Sequence, residues 1–151
     1  MKYGNFGNSH PKGWLFFLSS EGRWPWIQVW NAIKNICIAE EVETAESFAE
    51  RLKGLLGRRS LPAGKGLLIR PCNSIHSCFM RFSFDAVFIN SDLKVVYLIE
   101  KMRPFRISPV VRDAEMVLEL PAGTISRTGT EIGDLLFIDK GDGADRTACI
   151  S

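Results

Sequence analysis

Ala86-Val87-Phe88-Ile89-Asn90-Ser91-Asp92-Leu93-Lys94-Val95-Val96-Tyr97-Leu98-Ile99 is the stretch on which the fold turns. Two runs rich in β-branched and aromatic residues, 86–89 and 95–99, flank the turn-prone cluster Asn90-Ser91-Asp92. That pattern predicts a β-hairpin. Further short strands are expected on both sides of it. Leu67-Leu68-Ile69, Met116-Val117-Leu118-Glu119-Leu120 and Leu135-Leu136-Phe137-Ile138 are apolar runs punctuated by Pro62, Gly64, Gly123, Gly129 and Gly133. Towards the N-terminus, Ile27, Val29, Ile33, Ile36 and Ile38 suggest two strands around a turn near residues 31–35.

One segment carries helical periodicity. Ala45, Phe48, Leu52 and Leu55 recur at i, i+3, i+7 and i+10 and make one apolar stripe. Thr44 is the expected N-cap and Gly57 the expected C-cap. Glu46 and Glu50 suit the positive end of the helix dipole, and Arg51 and Lys53 the negative end. One early helix and roughly six to eight short strands predict an α+β domain. The architecture expected is a small, β-rich, partly closed barrel with one helix near its N-terminal part.

The chain has 151 residues, 46% hydrophobic and 24% charged, with a formal net charge of +2. That suits one domain with a real core and excludes disorder, collagen and coiled coil. The charge is too small for an extended nucleic-acid surface. No apolar run approaches the ~18–20 residues of a membrane span. No signal-peptide pattern is visible, so a cytoplasmic location and reduced thiols are the expectation for Cys37, Cys72, Cys78 and Cys149. All four tryptophans lie within the first 30 positions, among several glycines and prolines. Residues 1–26 therefore read as an irregular aromatic arm, 27–139 as the patterned domain, and 140–151 as a flexible tail.

Candidate chemistry concentrates in Pro71-Cys72-Asn73-Ser74-Ile75-His76-Ser77-Cys78-Phe79-Met80-Arg81. Thiolate and imidazole are zinc ligands, so Cys72, His76 and Cys78 are weak metal candidates. A structural site needs a fourth ligand, and the spacing C-x₃-H-x-C is not a common finger spacing. Alternation here fits a strand, which would put His76 and Cys78 on one face. His76 is suited to acid or base work, and a thiol beside it to nucleophilic attack. The plainer reading of these groups is packing and hydrogen bonding. If the strand extends to 85, Arg81 and Asp85 share a face. They then form either a structural ion pair or an oriented anion-binding arginine. Lys101, Arg103 and Arg106, interleaved with Met102, Pro104 and Phe105, form a basic, aromatic loop. Such a loop can hold a phosphate, a carboxylate or single-stranded nucleic acid, or can simply be solvated. Glu119-Leu120-Pro121-Ala122-Gly123 reads as a structural strand end and turn.

These segments together resemble a known family. Arg51-Leu52-Lys53-Gly54-Leu55-Leu56-Gly57-Arg58 is similar to its R-x-x-G-L-x-x-R helix end, and Gly66-Leu67-Leu68-Ile69 to its glycine-led strand. Cys72, Ile75, His76, Met80, Arg81, Asp85 and Phe88 match its C-x-x-I-H-x-x-x-M-R-x-x-x-D-x-x-F block. Leu118-Glu119-Leu120-Pro121-Ala122-Gly123 and Gly133-Asp134 resemble its closing motifs. This is domain-of-unknown-function family 192, resembled over roughly residues 27–139. The resemblance implies a compact β-rich domain and brings no accepted activity and no cofactor. Cys78 departs from the family pattern, which weakens a three-ligand metal site.

The function expected is a non-catalytic accessory module that binds an anionic small molecule or a protein partner. Its ligand-binding residues are expected to be Cys72, His76, Arg81, Asp85 and Arg106, with no catalytic residue, metal or cofactor. Two alternatives stand beside it: a Cys/His-dependent hydrolase or transferase, and a scaffold in a cell-envelope or pilus-type assembly.

Overall fold

A computed structural model describes residues 26–140. The expected arm over 1–26 and tail over 140–151 lie outside the described residues, save Trp26 and Lys140. The strands are β1 (Ile27–Asn31), β2 (Ile36–Ala45), β3 (Lys65–Ile69), β4 (Phe84–Ile89), β5 (Val95–Met102), β6 (Met116–Pro121) and β7 (Leu136–Asp139). Among the described residues two short helices accompany them, α1 (Phe48–Lys53) and α2 (Thr124–Thr128).

The strands form one curled half-barrel sheet in the order β5-β4-β6-β3-β2-β1-β7. Its two edges meet at a single bridge, Lys94 to Leu135. The hairpin read from residues 86–99 is β4–β5, with Ala86 opposite Ile99 and Val87 opposite Leu98. One pair is parallel, β2 with β3, from Glu41–Lys65 to Ala45–Ile69. A parallel pair needs a crossover of a dozen or more residues. Residues 46–64, which contain α1, supply it.

Both faces of the sheet are covered over β4 and β6, which explains the unbroken burial of β4 (Phe-Asp-Ala-Val-Phe-Ile) and of β6 up to Leu120. Val87, Ile89, Leu118 and Leu120 pack on one face with Val29, Ile38, Val42, Ile125 and Leu136. Phe84, Ala86, Phe88 and Val117 pack on the other with Leu55, Leu61, Leu67, Ile69, Ile75 and Met80. Gly66 lets β3 approach β6: a Cβ there would lie 3.1 Å from the Glu119 carbonyl oxygen and 3.3 Å from Val42 Cγ2.

Two expectations about helices are corrected. The helix does not begin at Thr44, because Thr44 and Ala45 continue β2 against Leu68 and Ile69. It starts instead at a capping box, in which Ser47 Oγ accepts from Glu50 N and Glu50 Oε2 accepts from Ser47 N. Gly54, at φ 45°, ends it three residues before Gly57. The second helix was not expected. Its five residues are too few to show a period, although Gly123 and Gly129, both at positive φ, bracket it.

Candidate functional site

A cleft of about 320 Å³ lies between α1 and the segment that leaves β3 at the cis Arg70–Pro71 bond. Phe48, Arg51, Leu52 and Lys53 of α1 line it on one side. Cys72, Ser74, Ile75, His76 and Met80 line the other. Glu119 also lines it, from the middle of the sheet. On β6, flanked by Leu67 of β3 and Ala86 of β4, Glu119 shares a face with Val117. Its Oε2 is buried with no hydrogen-bond partner among the described residues, and the residue is 4% exposed. Burial pushes its pKa up to about 8, with Arg58 opposing the shift. At neutral pH Glu119 is therefore mostly a neutral acid, one O–H donor with spare acceptor capacity.

This arrangement inverts the usual meaning of an amphipathic stripe. Phe48 and Leu52 are 73% and 58% exposed, and α1 has no buried residue. Only Ala45 and Leu55, which flank the helix, reach the core. The apolar side chains of α1 line the cleft instead of sealing it.

The expected site residues divide among three places. Cys72 and His76 line the cleft. Burial pushes the Cys72 thiol up; it donates to the Ser74 carbonyl oxygen at 3.2 Å. His76 Nδ1 accepts from Cys78 N at 3.3 Å, while the Cys72 thiol is turned to the Ser74 carbonyl oxygen. Asp85 is fully buried and accepts from Lys101 N and Ile125 N, each at 2.8 Å. Those two amides occupy its two oxygens, and no ion pair joins Arg81 to Asp85 among the described residues. Arg81 is exposed. Arg106 lies along a second, shallow hollow with Tyr97, Lys101, Arg103 and Ile107.

The strand read over 75–81 is absent. A single bridge, His76 to Ile107, is its only ladder contact among the described residues. The chain turns at Phe79, whose φ is 64°. Buried Ser77 holds the turn: its hydroxyl donates to Arg103 O at 2.6 Å and accepts from Arg106 N at 2.9 Å. The alternation of apolar and polar residues here reflects a loop laced to a second loop. No group of three or more His, Cys, Asp or Glu suited to a metal occurs among the described residues.

Sequence reasoning missed Glu119 as a site residue. The available signal was a carboxylate inside Met-Val-Leu-Glu-Leu, a run otherwise apolar on both faces. An unpaired acid in such a strand opposes the fold unless it serves another purpose.

Comparison with known proteins is consistent with this frame. A family model described as an uncharacterised ACR, DUF192, matches residues 30–138. A UPF0127 protein of Pyrococcus furiosus is 33% identical over 111 residues, covering 70% of this chain and 93% of its own length. A protein of unknown function from Novosphingobium aromaticivorans superposes with a TM-score of 0.64 at 22% identity, covering 74% of this chain and 82% of its own. A protein of Sinorhizobium meliloti described as a proposed transcription regulator also gives 0.64, at 26% identity, covering 76% and 92%. With its motifs, its sheet and these relatives in agreement, the chain belongs to the uncharacterised DUF192/UPF0127 family.

Proposed function

We propose that the protein is a non-catalytic small-ligand-binding module whose site is the α1 cleft. The observation that carries this reading is the buried Oε2 of Glu119, which has no hydrogen-bond partner among the described residues and lies beneath an open cleft with apolar walls. A buried polar atom left unmade costs about 1–3 kcal/mol. A ligand oxygen that accepts the Glu119 proton recovers that cost. The volume, about 320 Å³, suits a small molecule or the end of a longer one. Leu52, Ile75 and Met80 suit an apolar body, and Arg51 and Lys53 suit an anionic or strongly polar head. Cys72 and His76 are rim contacts in this reading, while Arg81, Asp85 and Arg106 lie elsewhere.

The Cys/His enzyme reading is less favoured. A reactive thiol has a lowered pKa, whereas that of Cys72 is raised.

Hexanoate, with hexylamine as its charge-reversed control, probes the site by thermal shift and native mass spectrometry near pH 6.5. Hexanoate stabilises the chain and hexylamine does not. The effect falls roughly tenfold in Glu119→Leu, which removes the donor, and is lost in Leu52→Glu, which closes the wall with a charge. Equal response of both variants and the unmodified chain overturns this site.

A further inference from the structure

The sequence's basic, aromatic loop is not used by the cleft. It meets the 76–81 loop at one end of the molecule, through Ser77 and the His76–Ile107 bridge. Phe79 and Phe105 pack edge to face there, with ring centroids 5.8 Å apart. Yet they are 76% and 65% exposed, and Ile107 beside them is 76% exposed. Both phenylalanines have positive φ, 64° and 58°. Bulky residues rarely adopt that conformation. The Ser77 hydrogen bonds thus hold two large apolar rings in water. Lys101, Arg103 and Arg106 flank Phe105 along its own loop, Arg81 follows Phe79 by two residues on the facing loop, and all four are exposed. None of the four forms an ion pair among the described residues. Glu100 is the acidic side chain lining the same hollow.

We infer that these loop tips are a docking face for an anionic phospholipid bilayer. Apolar tips enter the interface while the flanking cations meet lipid phosphates, their aliphatic stems lying along the apolar surface. Two features favour a bilayer over nucleic acid. Edge-to-face rings leave no parallel slot for a base, and Ile107 offers no stacking face. This inference is independent of the cleft and survives its failure.

The test is co-sedimentation of the full chain with vesicles of phosphatidylcholine mixed with phosphatidylglycerol, against phosphatidylcholine alone. Binding is expected to the mixed vesicles only and to weaken with salt. Arg103→Ala/Arg106→Ala lowers the partition roughly tenfold or more. Phe79→Ser/Phe105→Ser lowers it similarly, with the thermal midpoint near that of the unmodified chain. Should either variant fold poorly, hydrogen exchange of the unmodified chain decides. Residues 77–81 and 103–107 become protected on mixed vesicles if the inference holds. Absence of vesicle binding, equal binding to phosphatidylcholine, or no protection of those segments overturns it. So does preferential binding to oligouridylate, which would make the face a nucleic-acid contact.

Discussion

At the scale of a single residue, Glu119 is expected to make stability depend on pH. Its folded pKa, about 8, lies above the ordinary carboxyl value of 4.5. The folded state therefore holds the proton more tightly than the unfolded chain. Stabilisation from this group is complete below about pH 4.5 and is lost as pH climbs through about 8. Stability to urea should fall with a slope approaching 1.4 kcal/mol per pH unit between about pH 5 and 7.5. Glu119→Gln should remove most of that slope and be more stable than the unmodified chain at alkaline pH. A slope that persists in the variant assigns the effect to other groups. Asp134 acts in the opposite direction. Burial disfavours its charge, but Glu131 N, Asn31 and Lys34 outweigh burial and hold its pKa below the ordinary range. Its contribution is lost only at acid pH, below the Glu119 window.

At the scale of the element, α1 separates pattern from burial. Ser47→Ala removes the cap and should cost about 1 kcal/mol of local helix stability. Hydrogen exchange over 48–53 should accelerate while the global midpoint barely moves. Leu52→Glu should change global stability by no more than about 0.5 kcal/mol, because Leu52 faces the cleft. Leu55→Ala, one turn further along the same sequence stripe, should cost about 2–5 kcal/mol, because Leu55 is in the core. Equal costs for the two leucines would show that α1 is buried after all.

The whole molecule is fastened by polar side chains as well as by its two cores. Asp85 on β4 ties the end of β5, through Lys101 N, to the first turn of α2, through Ile125 N. It caps a helix that begins at Gly123, which has no capping side chain of its own. Asp85→Ala leaves both amides without that acceptor and should cost about 2–4 kcal/mol in urea unfolding. Asp85→Asn, which keeps one acceptor oxygen, should cost roughly half as much. Asn31 does similar work across the barrel, donating to Asp134 at 2.7 Å and accepting from Ile33 N and Lys34 N. No helix among the described residues is long and apolar enough to cross a membrane.

Local chemistry was legible in the chain itself. The β4–β5 hairpin, the apolar runs of β3, β6 and β7 and the turn between β1 and β2 follow from side-chain alternation and turn residues, which act over a few positions. The family motifs were equally local, and Cys72 and His76 within them line the cleft. What depended on neighbours far along the chain was decided by the tertiary structure. Thr44 and Ala45 are strand because β3 pairs with them, 24 residues downstream. The stripe of α1 lines a cleft because no element among the described residues packs over Phe48 and Leu52. Asp85 is a cap and not the partner of Arg81, because two distant amides reach it first. Glu119 is a buried acid because β3 and β4 close on both sides of β6 and no described residue supplies its Oε2 with a hydrogen bond. Periodicity reveals that a side chain shares a face; only the assembled sheet settles what that face meets.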